Sequence, residues 1–130
     1  MSQVHVNCDQ ISIWFLIGQL PIGGTEQTLV NLANNLDNDK FSVTVWTIKD
    51  QGELIDKLHD DVSYQTLRAN GKFDFFVLFK LMKNLRESRP DILQSFLYYD
   101  NLLARIAGLF CEETHIITGV RAIPSDPPLF

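Results

Sequence analysis

The amino-acid sequence predicts a doubly wound α/β fold, in which a mainly parallel sheet lies between layers of helices. Segments rich in β-branched and aromatic residues alternate along the chain with segments whose apolar residues recur at helical spacing. The first β-rich segment, residues 11–17, is almost wholly apolar, which is typical of a central strand covered on both faces. Strands that alternate with helices favour parallel pairing through right-handed crossovers.

Five strands are predicted, each bounded by glycine, proline or polar residues. Gly18 ends the first strand. A polar turn at residues 37–40 precedes the second, which is dense in β-forming residues. The third is the weakest of the set. In chain order the strands cover residues 11–17, 41–48, 62–67, 92–97 and 114–120.

The helices are predicted from apolar stripes and from residues that begin or end helices. The first starts near Thr25, whose hydroxyl can cap its first turn, and a short helix is expected at residues 52–59. A longer helix covers residues 73–89 and ends before a proline, and the last begins with Asp100 as its expected cap. The predicted buried stripes are Leu29, Leu32, Ala33 and Leu36, then Leu78, Leu81, Met82 and Leu85, then Leu103, Ile106, Ala107 and Phe110.

Length and composition set the expected organisation of the chain. Its 130 residues suffice for one domain, with a tail at 1–10, an incomplete α/β domain at 11–123 and the start of a connection at 124–130. A net charge of -5 disfavours a broadly basic, nucleic-acid-binding surface. Residues 1–10 lack the basic start and apolar run of a signal peptide, so a cytoplasmic protein is expected.

Neither a metal site nor a bound cofactor is expected. Cys8 and Cys111 lack the paired spacing of zinc ligands, and the histidines share no ligand spacing. Residues 37–39, Asp-Asn-Asp, match a D-x-D cation motif, but they fall in a turn between a helix and a strand, where these residue types are ordinary.

The most informative segment joins the first strand to the first helix and reads Gly-Gln-Leu-Pro-Ile-Gly-Gly-Thr-Glu, residues 18–26. Gly23 and Gly24 let the backbone approach a ligand closely, and the N–H groups that open the helix favour an anion such as a diphosphate. An ordinary tight turn is the structural alternative. Neither G-x-G-x-x-G nor G-x-x-x-x-G-K-[ST] occurs, so the dinucleotide and P-loop fingerprints are missing.

Three loops are expected to share one edge of the sheet. In doubly wound sheets, ligands bind beyond the carboxyl ends of the strands. That rule points to residues 18–24, 98–101 and 119–121, which follow the first, fourth and fifth predicted strands.

Three segments in register with these elements carry a resemblance to a known family. They are the turn Gly23-Gly24-Thr25-Glu26 with its helix, the fourth strand and following helix at residues 90–105, and the fifth strand with the arginine after it at 116–121. In these segments the chain resembles the glycosyltransferases of family 4. The resemblance implies the amino-terminal, Rossmann-like half of a retaining GT-B enzyme, which transfers a sugar from a nucleotide-sugar to a glycan or lipid-linked acceptor.

The same resemblance implies roles for particular residues. In the family the carboxyl-terminal half binds most of the donor, so this chain by itself would be inactive without a donor-binding domain. Histidines that are common near the fourth strand are replaced here by Gln94, Phe96 and Tyr99, so no catalytic residue is assigned. By position, Gly23 and Gly24 would approach the donor diphosphate, and the acceptor side would be lined by Tyr99, Asp100, Asn101 and Arg121.

The long helix carries a second, aromatic and basic face. Phe76 and Phe79 project near Lys80 and Lys83, away from the apolar stripe. Such a face suits anionic lipid headgroups and would hold the protein peripherally at the inner side of a membrane, close to a lipid-linked acceptor. The alternative is a core helix with a solvated basic side whose aromatic residues a partner covers.

Two other functions stay open at the level of sequence. The chain can be a non-catalytic subunit that completes its cleft with a separately encoded donor-binding chain. It can also be a flavodoxin-like or receiver-like regulatory domain, although clustered acids after the first strand and a threonine-rich phosphate loop are both missing.

Overall fold

A parallel sheet forms the centre of the molecule. The computed structural model describes residues 10–69, 76–96 and 98–119, and at Tyr98 and Tyr99 it describes the backbone alone. The strands are β1 (Ile11–Ile17), β2 (Phe41–Thr47), β3 (Ser63–Thr66), β4 (Ile92–Ser95) and β5 (His115–Thr118). The helices are α1 (Gly24–Asn35), α2 (Phe76–Ser88) and α3 (Tyr98–Gly108), with a 3₁₀ helix at Glu53–Lys57.

The strand order confirms the predicted doubly wound, Rossmann-like α/β fold. The five strands are all parallel and run in the order β3-β2-β1-β4-β5. From β1 the chain first builds outward through β2 and β3, and then crosses back to build outward through β4 and β5. The order therefore reverses between β1 and β4, and ligands of such sheets bind in the crevice at that point.

Each face of the sheet has its own apolar core, because successive side chains of a strand point to opposite faces. Ile13, Phe15 and Ile17 of β1 pack with α1 and the 3₁₀ helix on one face. Trp14 and Leu16 pack with α2 and α3 on the other. A strand that is covered on both faces is apolar where it is buried, which accounts for the unbroken apolar run Ile13–Ile17 of β1.

Helix α1 begins one residue before the predicted start, and two details of the prediction are wrong. Gly23 precedes the helix in an extended conformation and no side chain caps it, because Thr25 already lies within the first turn. The buried residues are Leu29, Val30 and Ala33, whereas Leu32 is exposed. The face that meets the sheet is thus rotated toward Val30 relative to the predicted stripe.

Helices α2 and α3 cover the other face. The predicted stripe of α2 is confirmed at Leu81 and Leu85, with Leu78 and Met82 partly buried beside them. For α3, two predictions about the ends of the helix are wrong. Asp100 is not the cap, since the helix already begins at Tyr98, and Phe110 is exposed because the helix ends at Gly108.

The first loop of the sheet is held by a ladder of backbone hydrogen bonds to the segment after β2. Lys49 N donates to Gly18 O at 2.8 Å, Leu20 N donates to Gln51 O at 2.9 Å, and Leu54 N donates to Leu20 O at 2.9 Å. Gly52 makes this approach possible. Its φ is +132°, and a Cβ there would lie 2.1 Å from the carbonyl carbon of Leu20.

None of the helices in the described part of the chain is long and apolar enough to cross a membrane.

Replacing Gly52 tests this ladder. We expect Gly52→Ala to lower the free energy of unfolding by about 2 kcal/mol or more, because the new methyl group meets the Leu20 backbone and the φ is unfavourable for alanine. Urea denaturation monitored by circular dichroism measures the change. Gly24→Ala is the matched control, since its added Cβ meets no other part of the described structure within 4 Å, and its midpoint should be unchanged or higher. Equal midpoints for the two variants would show that the Leu20 contact is unimportant.

Candidate functional site

The loops after β1, β4 and β5 meet at the carboxyl edge of the sheet, as the sequence predicts. Gly18 N donates to Asp100 Oδ2 at 3.1 Å, which joins the first loop to α3. Asn101 Nδ2 donates to Gly119 O at 3.0 Å, which joins α3 to the end of β5. These bonds place the three segments around the reversal of strand order. Arg121 lies outside the described residues.

The glycine turn leaves the start of α1 open. Gly23 is extended, with φ of -167°, and Gly24 is the first helical residue. Apart from the neighbouring residues and the backbone of α1 itself, no atom of the described residues lies within 4 Å of the position that a Cβ on Gly24 would take. The first N–H groups of a helix have no partner within the helix, and its dipole is positive at this end. This end of α1 can therefore bind an anion through backbone groups.

An acid already lies beside that helix start. Glu26 is in the first turn of α1, and its Oε1 lies 2.9 Å from the position of a Cβ on Gly23. The carboxylate thus folds back over the glycine turn. A negative group at this place is favourable to the helix by about 0.3–1 kcal/mol. Any anionic ligand at the turn has to share the space with this side chain or displace it.

Asp100 is 1% exposed, and its carboxylate links two parts of the edge. It accepts the hydrogen bond from Gly18 N, the first backbone group beyond β1. A buried carboxylate is costly unless hydrogen bonds compensate for the loss of water. Asp100 therefore fixes the exit of the chain from β1 relative to α3.

Asn101 links the ends of β4 and β5 in a similar way. Its Oδ1 accepts a hydrogen bond from Ser95 Oγ, and its Nδ2 donates to the carbonyl of Gly119. Gly119 N in turn donates to Ser95 O at 3.2 Å. Both the oxygen and the nitrogen of the Asn101 side-chain amide thus form hydrogen bonds with residues at the carboxyl edge of the sheet. Side chains and backbone together make the loops one hydrogen-bonded unit.

The remaining predicted site residues are placed less completely. Tyr99 belongs to the first turn of α3, and only its backbone is described. Contact of Tyr99, Asp100, Asn101 and Arg121 with an acceptor stays a prediction. Phe96 is buried, with its ring centroid 5.7 Å from that of Phe15.

A polar cluster near the carboxyl ends of β2 and β3 was not predicted from the sequence. The hydroxyl of Tyr64 donates to Asp50 Oδ1 at 2.7 Å and lies 2.8 Å from Thr47 Oγ1. Burial, together with the negative charge of Asp50, raises the pKa of Tyr64 to about 12. The phenol is therefore neutral throughout the physiological pH range and serves as a hydrogen-bonded link between β3 and the loop after β2.

The aromatic and basic face of α2 is exposed, as predicted, and lies beside this edge. Phe76 is 73% exposed and Phe79 is 63% exposed. Lys80 Nζ donates to the carbonyl of Leu67, directly after β3, at 3.1 Å. That bond places the first turns of α2 at the carboxyl end of the sheet, and Lys83 is exposed one turn further along.

The Tyr64 cluster predicts a pH dependence of stability. Tyr64→Phe loses two hydrogen bonds, so at neutral pH we expect it to unfold with about 1–2 kcal/mol less free energy than the native chain. The pKa of Tyr64 in the folded protein is above its unfolded value of about 10. The difference in unfolding free energy between the native chain and the variant is therefore fully present below pH ~10 and shrinks as the pH rises toward 12. Urea denaturation over a pH series measures it. A difference that stays constant up to pH ~12 contradicts the raised pKa.

Comparison with known proteins agrees with this geometry. The model of a family described as Glycosyltransferase Family 4 matches residues 22–120, about three quarters of the chain. The matched region begins one residue before the glycine turn and covers every later element through β5. No curated protein matches the chain. By its sequence and its fold, the chain belongs to glycosyltransferase family 4.

Proposed function

We propose that this chain is the amino-terminal, acceptor-side half of a retaining GT-B enzyme that moves a sugar from a nucleotide-sugar to a glycan or lipid-linked acceptor. Family membership supports sugar transfer as the chemistry. The observation that carries the proposal is the carboxyl edge, where the loop that leads from β1 to α1 is hydrogen-bonded to α3, and α3 to the end of β5, at the reversal of strand order.

In this proposal the donor diphosphate binds at Gly23 and Gly24. The absence of side chains on these residues lets phosphate oxygens reach backbone N–H groups at the start of α1. Negative charge builds up on the diphosphate as the sugar departs, and fixed N–H dipoles stabilise such charge without rearranging. The Glu26 carboxylate has to move aside for the diphosphate to enter.

The acceptor side is formed by Tyr99, Asp100, Asn101 and Arg121. Asp100 and Asn101 contribute by holding the loops in place, since both are buried and bonded to backbone groups of the edge. Tyr99 and Arg121 are the members of the set that we assign to direct acceptor contact. A loop edge held rigid by buried groups suits the orientation of an acceptor hydroxyl.

These loops make one wall of a cleft, and a donor-binding domain supplies the other. We place that domain either on the same polypeptide or on a separate chain, in which case this protein is the binding subunit of a split enzyme. Copurification with a donor-binding chain, or sugar transfer that is restored on mixing the two, distinguishes the split enzyme. The match to a glycosyltransferase family disfavours the flavodoxin-like and receiver-like alternatives.

Pyrophosphate binding tests the diphosphate site without knowledge of the sugar. We expect inorganic pyrophosphate to shift the amide resonances of residues 23–27 in a ¹⁵N-correlated spectrum. Gly24→Asp should weaken binding by about tenfold, or about 1.4 kcal/mol, because it adds a negative charge where the phosphate approaches. The variant should fold well, since position 24 has room for a Cβ and an acid is favourable in a first helical turn.

Asn31→Asp is the matched control, since it makes the same charge change on an exposed part of α1, two turns from the glycine turn. Its affinity for pyrophosphate should stay within about twofold of the native value. If pyrophosphate shifts no resonance near the turn, or if both variants weaken binding equally, Gly23 and Gly24 do not form the diphosphate site.

A second proposal concerns the aromatic and basic face of α2. Two exposed phenylalanines beside exposed lysines fit an anionic lipid surface, in which aromatic rings enter the headgroup layer and cations pair with phosphate. The hydrogen bond from Lys80 to Leu67 sets this face next to the carboxyl edge. Docking there would bring a lipid-linked acceptor to the cleft.

Sedimentation with vesicles of phosphatidylcholine and phosphatidylglycerol tests the membrane proposal. Each basic residue near such a surface contributes about 1 kcal/mol, so Lys83→Glu should lower the bound fraction by about tenfold or more. Lys57→Glu is the control with the same charge change, since Lys57 is exposed beside α1 on the other face of the sheet. Equal losses in the two variants, or no binding by the native chain, would refute docking through α2.

A further inference from the structure

A second surface lies at the amino edge of the sheet, at the opposite end of the strands from the glycine turn. Here the end of α2 faces the segment between α3 and β5 across a cavity of about 450 Å³. Thr114 Oγ1 donates to the carbonyl of Pro90 at 2.8 Å and fixes the two sides where β4 and β5 begin. We call this surface the amino-edge patch and define it by Arg86, Arg89, Leu109, Phe110, Glu112 and Glu113.

The patch combines a protruding apolar group with a recess. Leu109 is 77% exposed and Phe110 is 56% exposed, although both are large apolar side chains. Beside them the cavity is floored by the buried residues Leu85 and Cys111. A surface of this kind buries apolar area when a complementary surface covers it.

The charges of the patch are of both signs and lie on opposite sides of the cavity. Arg86 lies in the last turn of α2 and Arg89 directly follows that helix, whereas Glu112 and Glu113 lie in the segment before β5. Arg89 Nε lies 3.6 Å from Glu113 Oε2. Within the described residues, Arg86 and Glu112 form no ion pair. One charge of each sign is therefore left for a partner.

We propose that the amino-edge patch binds the same patch of a second copy of this chain, related by a two-fold axis. Both partners of a two-fold interface use the same surface. If one residue of the patch contacts a second residue of the partner's patch, the reverse contact also forms, so the patch has to be complementary to itself. This patch contains a protruding Phe110 and a recess, and a free arginine together with a free glutamate.

Other occupants fit the patch less well. The two glutamates offset the two arginines, so the patch offers no net positive charge to an anionic membrane or a nucleic acid. Self-association also leaves the proposed sugar-transfer cleft accessible, because the patch and the glycine turn lie at opposite ends of the strands. The pairing therefore adds a property to the chain that is independent of its proposed catalytic role.

The small size of the patch predicts weak association. A stable interface buries about 800 Å² and about 20–30 residues on each partner, whereas the patch is defined by six residues. We expect a dissociation constant on the order of 10–100 µM, so the dimer forms only at high protein concentration. Added salt should weaken it, because the exposed charges are screened.

Sedimentation velocity of the native chain between about 5 and 500 µM tests the proposal, with a concentration-dependent shift from monomer to dimer as the expected result. Phe110→Ser should raise the dissociation constant at least about tenfold, as expected for a central aromatic anchor. Phe79→Ser is the matched control, since it removes a phenylalanine that is at least as exposed as Phe110 and lies outside the patch, and it should leave association unchanged.

Charge reversal identifies the partner surface more sharply. Arg86→Glu and Glu112→Arg should each abolish self-association, because each places like charges opposite one another in a two-fold pair. An equimolar mixture of these two variants should associate again, since every contact across the axis then joins opposite charges. A chain that stays monomeric at all concentrations overturns the proposal. So does a dimer that is insensitive to Phe110→Ser, or a mixture that stays monomeric.

Discussion

Burial of β1 on both of its faces is the constraint on which the rest of the structure depends. The strand pairs along its whole length with β2 and on its other side with β4. Its alternate side chains enter two separate cores. Because neighbours occupy both sides and both faces of β1, a ligand can approach this strand only at its ends, and its carboxyl end lies in the crevice where the strand order reverses. The position of the candidate cleft thus follows from the burial of one largely apolar strand.

Polar groups then give this crevice a fixed shape. On one side of the exit from β1, a backbone ladder joins Gly18 and Leu20 to the segment after β2, and Gly52 allows the close approach. On the other side the carboxylate of Asp100 receives Gly18 N. The first loop is therefore held from two directions before any ligand binds. Preorganised backbone groups of this kind stabilise developing charge most effectively, because they do not need to reorient.

The sequence predicts the local pattern well and the long-range contacts poorly. The bounds of β1 and the stripe of α2 depend on nearby residues, so periodicity was enough to find them. The role of Asp100 depends on Gly18, which is 82 residues away along the chain, and an acid near a helix start looks like a cap until the start itself is known. Gly52 carries no motif, since its need for positive φ arises only from packing against Leu20. Phe110 fits the helical spacing but falls beyond the point where α3 ends.

The position of Glu26 has a consequence for which ligands the glycine turn accepts. In the free protein its carboxylate lies over Gly23 and interacts favourably with the positive end of α1. A ligand with a single negative charge gains little by replacing it, because one carboxylate-like group is exchanged for another. A diphosphate brings more charge and more acceptor oxygens to the same N–H groups, so it can displace the side chain with a net gain. If the proposed diphosphate site is correct, we therefore expect the turn to favour multiply charged ligands over simple carboxylates, although its sequence contains no lysine or arginine.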